Sequence, residues 1–337
     1  MDSPLWIDVH APGLAELPQG DLRRYLKRVS EGPINLLLHG PPGAGKTAAV
    51  RALARENLDD PDNDLVEINV ADFFDRTKKE ITDDPRFAHF LSGRSDMAKG
   101  AMINHVVKES ASYAPVSGSY RTILLDNAEA VREDFQQALR RVMERHHEAT
   151  QFVIVTRQPS KLIPPIRSLC FPVPVRSPTH GEIVTVLERI VQAEGVDHDD
   201  DGLAFVAGHA EGDLRTAVLE AQTVAEAEGE ITQEAAWETL RTVGIDERVD
   251  EMLDAAEAGE FGDARSVLDD LLVDEGYTGG EVVEAVLDAA RSRDGTDAAP
   301  LTRLAGEVDL DLARGTNDRL HLAHLLAELG PEARARQ

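Results

Sequence analysis

Ile34-Asn35-Leu36-Leu37-Leu38-His39-Gly40-Pro41-Pro42-Gly43-Ala44-Gly45-Lys46-Thr47-Ala48-Ala49-Val50-Arg51-Ala52-Leu53 is the stretch that decides the fold. Its apolar opening has the length of one buried strand, stops at a Gly/Pro cluster, and gives way to a helical pattern. Inside it, Gly40, Pro41, Pro42, Gly43, Ala44, Gly45, Lys46 and Thr47 complete a GxxxxGK[ST] sequence. Such glycines let successive N–H groups curl around phosphates at a helix amino end, where the aligned peptide dipoles favour an anion. The reading is a cradle for ATP, with Lys46 reaching the β- and γ-phosphates and Thr47 ligating Mg²⁺.

Outward from the cradle, residues 65–69, 121–126 and 151–156 repeat the short apolar run, and a last one ends at Pro172-Val173-Pro174-Val175. Helical patterns separate them, notably residues 132–144. Buried strands alternating with helices predict a parallel sheet covered on both faces, an α/β fold. A phosphate loop needs an acidic residue at the end of a neighbouring strand for the Mg²⁺ shell, and Asp126 stands there. The next residue, Asn127, occupies a place where hydrolysing enzymes of this class carry Glu to align water. An amide orients water but accepts no proton, so slow hydrolysis is expected. Glu129 is a possible substitute, although a strand-to-helix turn would point it elsewhere.

From Thr179 the pattern is helical, near residues 179–194, 201–209, 212–227 and 232–241, and again over 247–334, with a boundary at Gly244. Residues 59–64 and 294–299 read as mobile loops, and 73–99 as a solvated insertion carrying Lys78-Lys79. The run Asp197-His198-Asp199-Asp200-Asp201 reads as a helix cap. Trp237 is expected in a core. Cys170 is expected to be a buried small hydrophobe in a strand rather than a nucleophile, and His146-His147 lacks the further ligands of a metal site.

Sixty-two acidic residues against 35 basic give 337 residues a net charge of -27. Acids spread along the whole chain favour a cytoplasm of molar salt, where the Debye length is only about 3 Å, over a partner-repelling surface. The opening residues from Met1 read as no signal peptide, and no run reaches the roughly 18 apolar residues of a membrane span. One cysteine excludes an intrachain disulfide. A soluble, cytoplasmic protein is expected, with no membrane partner.

The succession of motifs resembles replication factor C small subunits, clamp-loader ATPases of the AAA+ family. Trp6-Ile7-Asp8-Val9-His10-Ala11-Pro12 is similar to the family's W-x-E-K-Y-R-P opening, and residues 65–72 to its L-E-x-N-A-S-D segment. Asp126-Asn127-Ala128-Glu129 occupies the D-E-A-D box, and residues 135–144 resemble the Q-x-A-L-R-R-x-M-E helix. Ser168-Leu169-Cys170 falls on S-R-C, Gly212-Asp213-Leu214-Arg215 on the sensor-2 motif, and residues 258–265 on a turn of the C-terminal collar.

The resemblance implies an AAA+ P-loop sheet domain over 1–175, a helical lid over 176–242 and an all-α collar over 243–337 that joins subunits. It implies ATP and Mg²⁺ held by residues 40–47, Asp126 and Arg215. The implied partners are other small and large subunits in a heteropentameric ring, the sliding clamp (PCNA), and primer–template DNA. An AAA+ ATPase of another DNA transaction, such as branch migration or fork maintenance, is the alternative. Four departures touch ATP chemistry: Asn127 for Glu, Leu169 for the arginine finger, Arg157 for the sensor-1 Asn, and His10-Ala11 for Tyr-Arg. A finger is worth about 10³–10⁵ in rate. Arg167 could replace it only across an offset of about 6–7 Å if the chain is extended, so packing is the expected role of Leu169. Asn104 and Val106 stand where basic residues often face DNA, with Lys108 retained, so little DNA affinity is expected here. The chain then reads as an ATP-binding subunit of an archaeal, halophilic clamp loader whose own hydrolysis is weak.

Overall fold

A computed structural model describes residues 4–29, 32–85, 87–93, 96–243, 245–292, 298–315 and 317–330. The boundary expected at Gly244 and most of the loop expected at 294–299 lie outside the described residues, as do residues 1–3 and 331–337. The chain divides into two compact units, residues 1–236 and 237–337.

The first unit is built on five parallel strands: β1 (Leu36–His39), β2 (Leu65–Asn69), β3 (Arg121–Asp126), β4 (Thr150–Thr156) and β5 (Phe171–Pro174), in the order β2-β3-β4-β1-β5. Alternate side chains leave a strand on opposite faces, and both faces here are apolar. Leu36, Leu38, Leu124, Val153 and Val155 pack with Leu22, Leu26, Ala49 and Leu53 on one side. Leu37, Ile123, Leu125, Phe152 and Ile154 pack with Met102, Ile103, Phe135 and Leu139 on the other. This two-sided burial is why the strands read as continuous apolar runs rather than as alternation.

Two prolines sit in β5 because it is an edge strand. Phe171 N donates to Asn35 O (2.7 Å) and Val175 N to His39 O (2.8 Å), so odd-numbered amides face β1. Pro172 and Pro174, which have no N–H, face the open side, where none is needed.

The strands do not stop at residue 175 as expected. β6 (Asp197–His198) and β7 (Glu230–Ile231) form a small parallel pair among helices His180–Glu194, Asp200–His209 and Leu214–Glu228. Thr179 and Glu182 form a capping box at the first of these helices, and Gly195 (φ 70°) ends it. Asp199 caps the second through Gly202 N (2.6 Å), as the acidic run suggested. Helix Gln233–Val243 contains the chain position, between Ala236 and Trp237, at which the two units divide. The second unit packs helices Ile245–Ala258, Phe261–Asp269, Gly279–Ser292, Ala298–Arg314 and Asp318–Leu329 around a core that includes Met252, Leu268, Val286 and Leu325.

Three other expectations change. Residues 61–64 form a helical turn rather than a loop, and Asp64 is fully buried. The segment 73–99 is no solvated insertion: Phe73, Ile81, Phe87, Phe90 and Leu91 are buried in the same core as β3 and β4. Trp237 is 47% exposed rather than buried.

Candidate functional site

The loop between β1 and helix Lys46–Asn57 owes its path to its glycines. A Cβ on Gly40 would fall 1.8 Å from Val175 O, so only glycine lets β1 leave the sheet beside β5. Gly43 and Gly45 take positive φ (61° and 83°), a region that L-residues enter at a cost. Lys46 starts the helix, is buried, and donates from Nζ to Gly40 O (3.0 Å) and to Pro41 O. Burial pushes its ammonium below the usual lysine range, against the opposing pull of Asp126 and Glu129.

Thr47 Oγ1 donates to Asp126 Oδ2 (2.7 Å), across the sheet from β1 to the end of β3. Two residues 79 positions apart thus converge as hard oxygen donors beside the loop. That chemistry fits Mg²⁺, which takes one or two protein oxygens together with phosphates and water. The other Asp126 oxygen accepts Asn127 N (2.9 Å).

Asn127 occupies the left-handed region (φ 52°, ψ 44°), where Asn is among the few tolerated side chains. Its Nδ2 donates to Asn69 Oδ1 (3.1 Å), at the end of β2. Glu129 turns away onto the end of β4. It accepts from Thr156 Oγ1 (2.8 Å), Arg157 N (3.2 Å) and Arg157 Nε (2.8 Å). Burial pushes the Glu129 carboxyl up, but the hydrogen bonds from Arg157 and Thr156 outweigh it and hold the group below the usual range.

From the helices beyond β5, Leu214 N donates to Gly43 O (3.1 Å), and the Asp213 carboxylate fills the space a Gly43 side chain would take. Asp213 also caps its own helix through Thr216 N (3.0 Å). Arg215 lies on the first turn of that helix and is exposed. The structure therefore gathers Lys46, Thr47 and Asp126, while Asp213, rather than Arg215, meets the loop.

Gln19 was not singled out in the sequence, yet it is buried and donates from Nε2 to Ala44 O (2.9 Å) and Arg176 O (3.1 Å). One amide ties the loop to the segment leading into the helical part. A lone Gln 157 positions from one partner gives no sequence signal. Asp213 was legible as part of a motif, but not its contact with Gly43.

Leu169 is half-buried and packs against the core. Arg167 is exposed on helix Pro164–Ser168, and because the local chain is helical, not extended, two residues of offset turn it to another side. Cys170 is buried just ahead of β5, and desolvation pushes its thiol up to about 12, which makes it inert. His10 pairs with Glu194, and Trp6 N donates to Gln222 Oε1 (2.8 Å), joining the N-terminal segment to the helices. On helix Lys99–Ser112 Val106 is buried and Lys108 exposed.

A parallel sheet with a phosphate loop on β1, an Mg²⁺-type Asp on β3 and following helices that touch the loop defines a P-loop ATPase of the AAA class. Residues 36–177 match the ATPase family associated with various cellular activities (AAA), and residues 246–328 match the replication factor C C-terminal domain. The chain is 30% identical to the replication factor C small subunit of Halobacterium salinarum, over 98% of this chain and 97% of the relative. It is also 30% identical to that of Methanocella arvoryzae, over 99% of both. The fold resembles a RuvB of Thermotoga maritima (TM-score 0.50, 15% identity, 90% of this chain and 84% of the other). The chain belongs to the replication factor C small-subunit family.

Proposed function

We propose that this chain is a subunit of an archaeal clamp loader that binds ATP with Mg²⁺ and hydrolyses it weakly. The observation that carries the reading is the 2.7 Å hydrogen bond between Thr47 and Asp126 beside an intact glycine loop, in a chain related over its whole length to replication factor C small subunits. Residues 40–47 would hold the phosphates, Thr47 and Asp126 the metal, and Arg215 would reach the nucleotide from the lid. Bound Mg²⁺ would neutralise charge on the phosphates. Asn127 orients water without taking its proton, and Glu129 is committed to Thr156 and Arg157, which supports slow turnover. Leu169 offers no cation to a neighbouring site.

In this reading residues 1–175 form the ATPase module, 176–242 the lid and 243–337 the collar of a heteropentameric ring with small and large subunits. The ring opens the sliding clamp (PCNA) and sets it on primer–template DNA. This subunit adds little DNA affinity, since Val106 is buried where a basic residue would face DNA. The acidic composition and the similarity to a Halobacterium protein support a saline cytoplasm and a divergent halophilic paralogue. Among the described residues no helix is long and apolar enough to cross a membrane. Fluorescent ATP should bind the chain with Mg²⁺ and not its Lys46→Ala variant, and the chain should co-purify with the clamp and a large subunit. Equal binding by both proteins sinks the nucleotide reading.

A further inference from the structure

Two neighbouring carbonyls of the phosphate loop are taken by parts of the chain far apart in sequence. Gly43 O accepts Leu214 N (3.1 Å), at the start of helix Leu214–Glu228, and Ala44 O accepts Gln19 Nε2 (2.9 Å). Phosphate binding uses the N–H groups of such a loop, so neither contact competes with a nucleotide for a donor.

These contacts are the two ends of one circuit. From Leu214 the helix runs about 12 Å, at about 1.5 Å per residue, to Gln222, which is buried. Gln222 Oε1 accepts Trp6 N (2.8 Å), and its Nε2 donates to Pro4 O (3.2 Å) and Glu226 Oε1 (2.8 Å). One side-chain amide therefore grips the backbone on both sides of Leu5. Buried Trp6 anchors the same segment, and His10 pairs with Glu194 at the end of helix His180–Glu194. The chain then crosses to the sheet: Pro12 O accepts Arg55 Nη2 (2.8 Å), Leu14 and Leu17 join the core beside Ala49 and Leu53, and Gln19 reaches Ala44. Residues 4–19 thus lash the helices after β5 to the phosphate loop, in addition to the covalent passage through residues 175–179. A single passage is a hinge, and a second attachment stops it from swinging until that attachment parts.

We propose that residues 4–19 are a strap that sets how fast a nucleotide enters and leaves the loop. Gln222 is its clasp, a positioning residue that acts on Gly43 and Ala44 through Leu214 and Gln19. With the clasp parted, the helix lifts from Gly43 and opens a way to the cradle; with it closed, the loop keeps the shape that holds phosphates. No covalent bond changes. The inference rests on the nucleotide reading above.

Stopped-flow mixing of the full chain with fluorescent ATP and Mg²⁺, followed by a chase with unlabelled ATP, measures entry and release. Gln222→Ala removes the clasp's hydrogen bonds and should speed both rates about tenfold, while Kd moves by less than about threefold. Mere damage to the fold would lower the binding-competent fraction and leave entry no faster. Glu194→Ala breaks a part-exposed pair that is cheap to lose, should speed both rates about twofold, and decides the matter should Gln222→Ala fold poorly. Thr223→Ala, exposed on the same helix with its hydroxyl donating to Leu219 O, should match the parent. Entry and release unchanged in Gln222→Ala and Glu194→Ala, while the parent chain binds, overturn this inference alone. So does faster release without faster entry, which assigns the lost contact to the bound nucleotide. A parent chain that binds no fluorescent ATP overturns the nucleotide reading and this inference with it.

Discussion

Gly43 is where a single methyl group has the most to disturb. Its φ of 61° already strains any L-residue, and an added Cβ would meet the Asp213 carboxylate at 1.9–2.1 Å. Gly43→Ala should cost about 1–2 kcal/mol for the backbone alone and abolish the rise in melting temperature that ATP gives the parent chain. Adding Asp213→Ala should restore part of the stability and none of the φ strain; full recovery would show that crowding, not backbone, sets the cost. Glu129 gives a pH signature. Its folded pKa lies below the unfolded value, so the ionised group stabilises above about pH 4.3 and that contribution fades as pH falls through the folded pKa. The melting-temperature gap between the parent chain and Glu129→Gln should therefore narrow on acidification, and a constant gap would refute the linkage. Much of this site was legible because residues 40–47 are contiguous and Asp126 ends an apolar run. The Glu129–Arg157 pair was not legible, since which way a carboxylate turns after a strand depends on residues 27 and 28 positions away.

Among elements, the helical turn Pro61–Asp64 at the entry to β2 shows what an apolar pattern cannot reveal. Asp64 accepts from Val116 N (2.8 Å) and Ser117 N (3.0 Å), and faces Arg121 Nη2 at 3.4 Å. Arg121 in turn donates to Ser110 O (2.9 Å), so one carboxylate joins the edge strand, the end of helix Lys99–Ser112 and the loop into β3. Removing one partner of a buried pair strands the other, at about 3–5 kcal/mol. Asp64→Ala should lower the urea midpoint of unfolding accordingly, while an exposed control, Asp62→Ala, should leave it unmoved. If the two variants behave alike, the pair is not structural. The central strands were readable because burial on both faces leaves an unbroken apolar run. Residues 61–64 looked like an acidic loop because the cation that balances Asp64 lies 57 positions later. Likewise the short helices of 73–99 bury Phe73, Ile81, Phe87, Phe90 and Leu91 at spacings that fit no single period.

For the whole molecule the deciding quantity is charge, and it is unevenly shared between two separate cores. Residues 237–337 carry 24 acidic side chains against 10 basic ones, more than half of the net -27 on under a third of the length. Their core is built largely from Ala, Val and Leu, including Ala256, Ala264, Ala289 and Ala305, which bury modest apolar area apiece. Self-repulsion opposes a compact state, and it is screened beyond about 3 Å at molar salt but only beyond about 10 Å at 0.1 M. Withdrawing salt should therefore unfold this unit first. The two tryptophans separate the outcomes, because Trp6 is buried in the first unit while Trp237 is exposed. In a Trp237→Phe variant, dialysis from about 2 M to about 0.1 M KCl should reduce helical circular dichroism while Trp6 still emits from a buried environment. Emission should redden only on further dilution. Simultaneous loss of both signals would mean that the units unfold together, and no loss at all would remove the argument for a saline host.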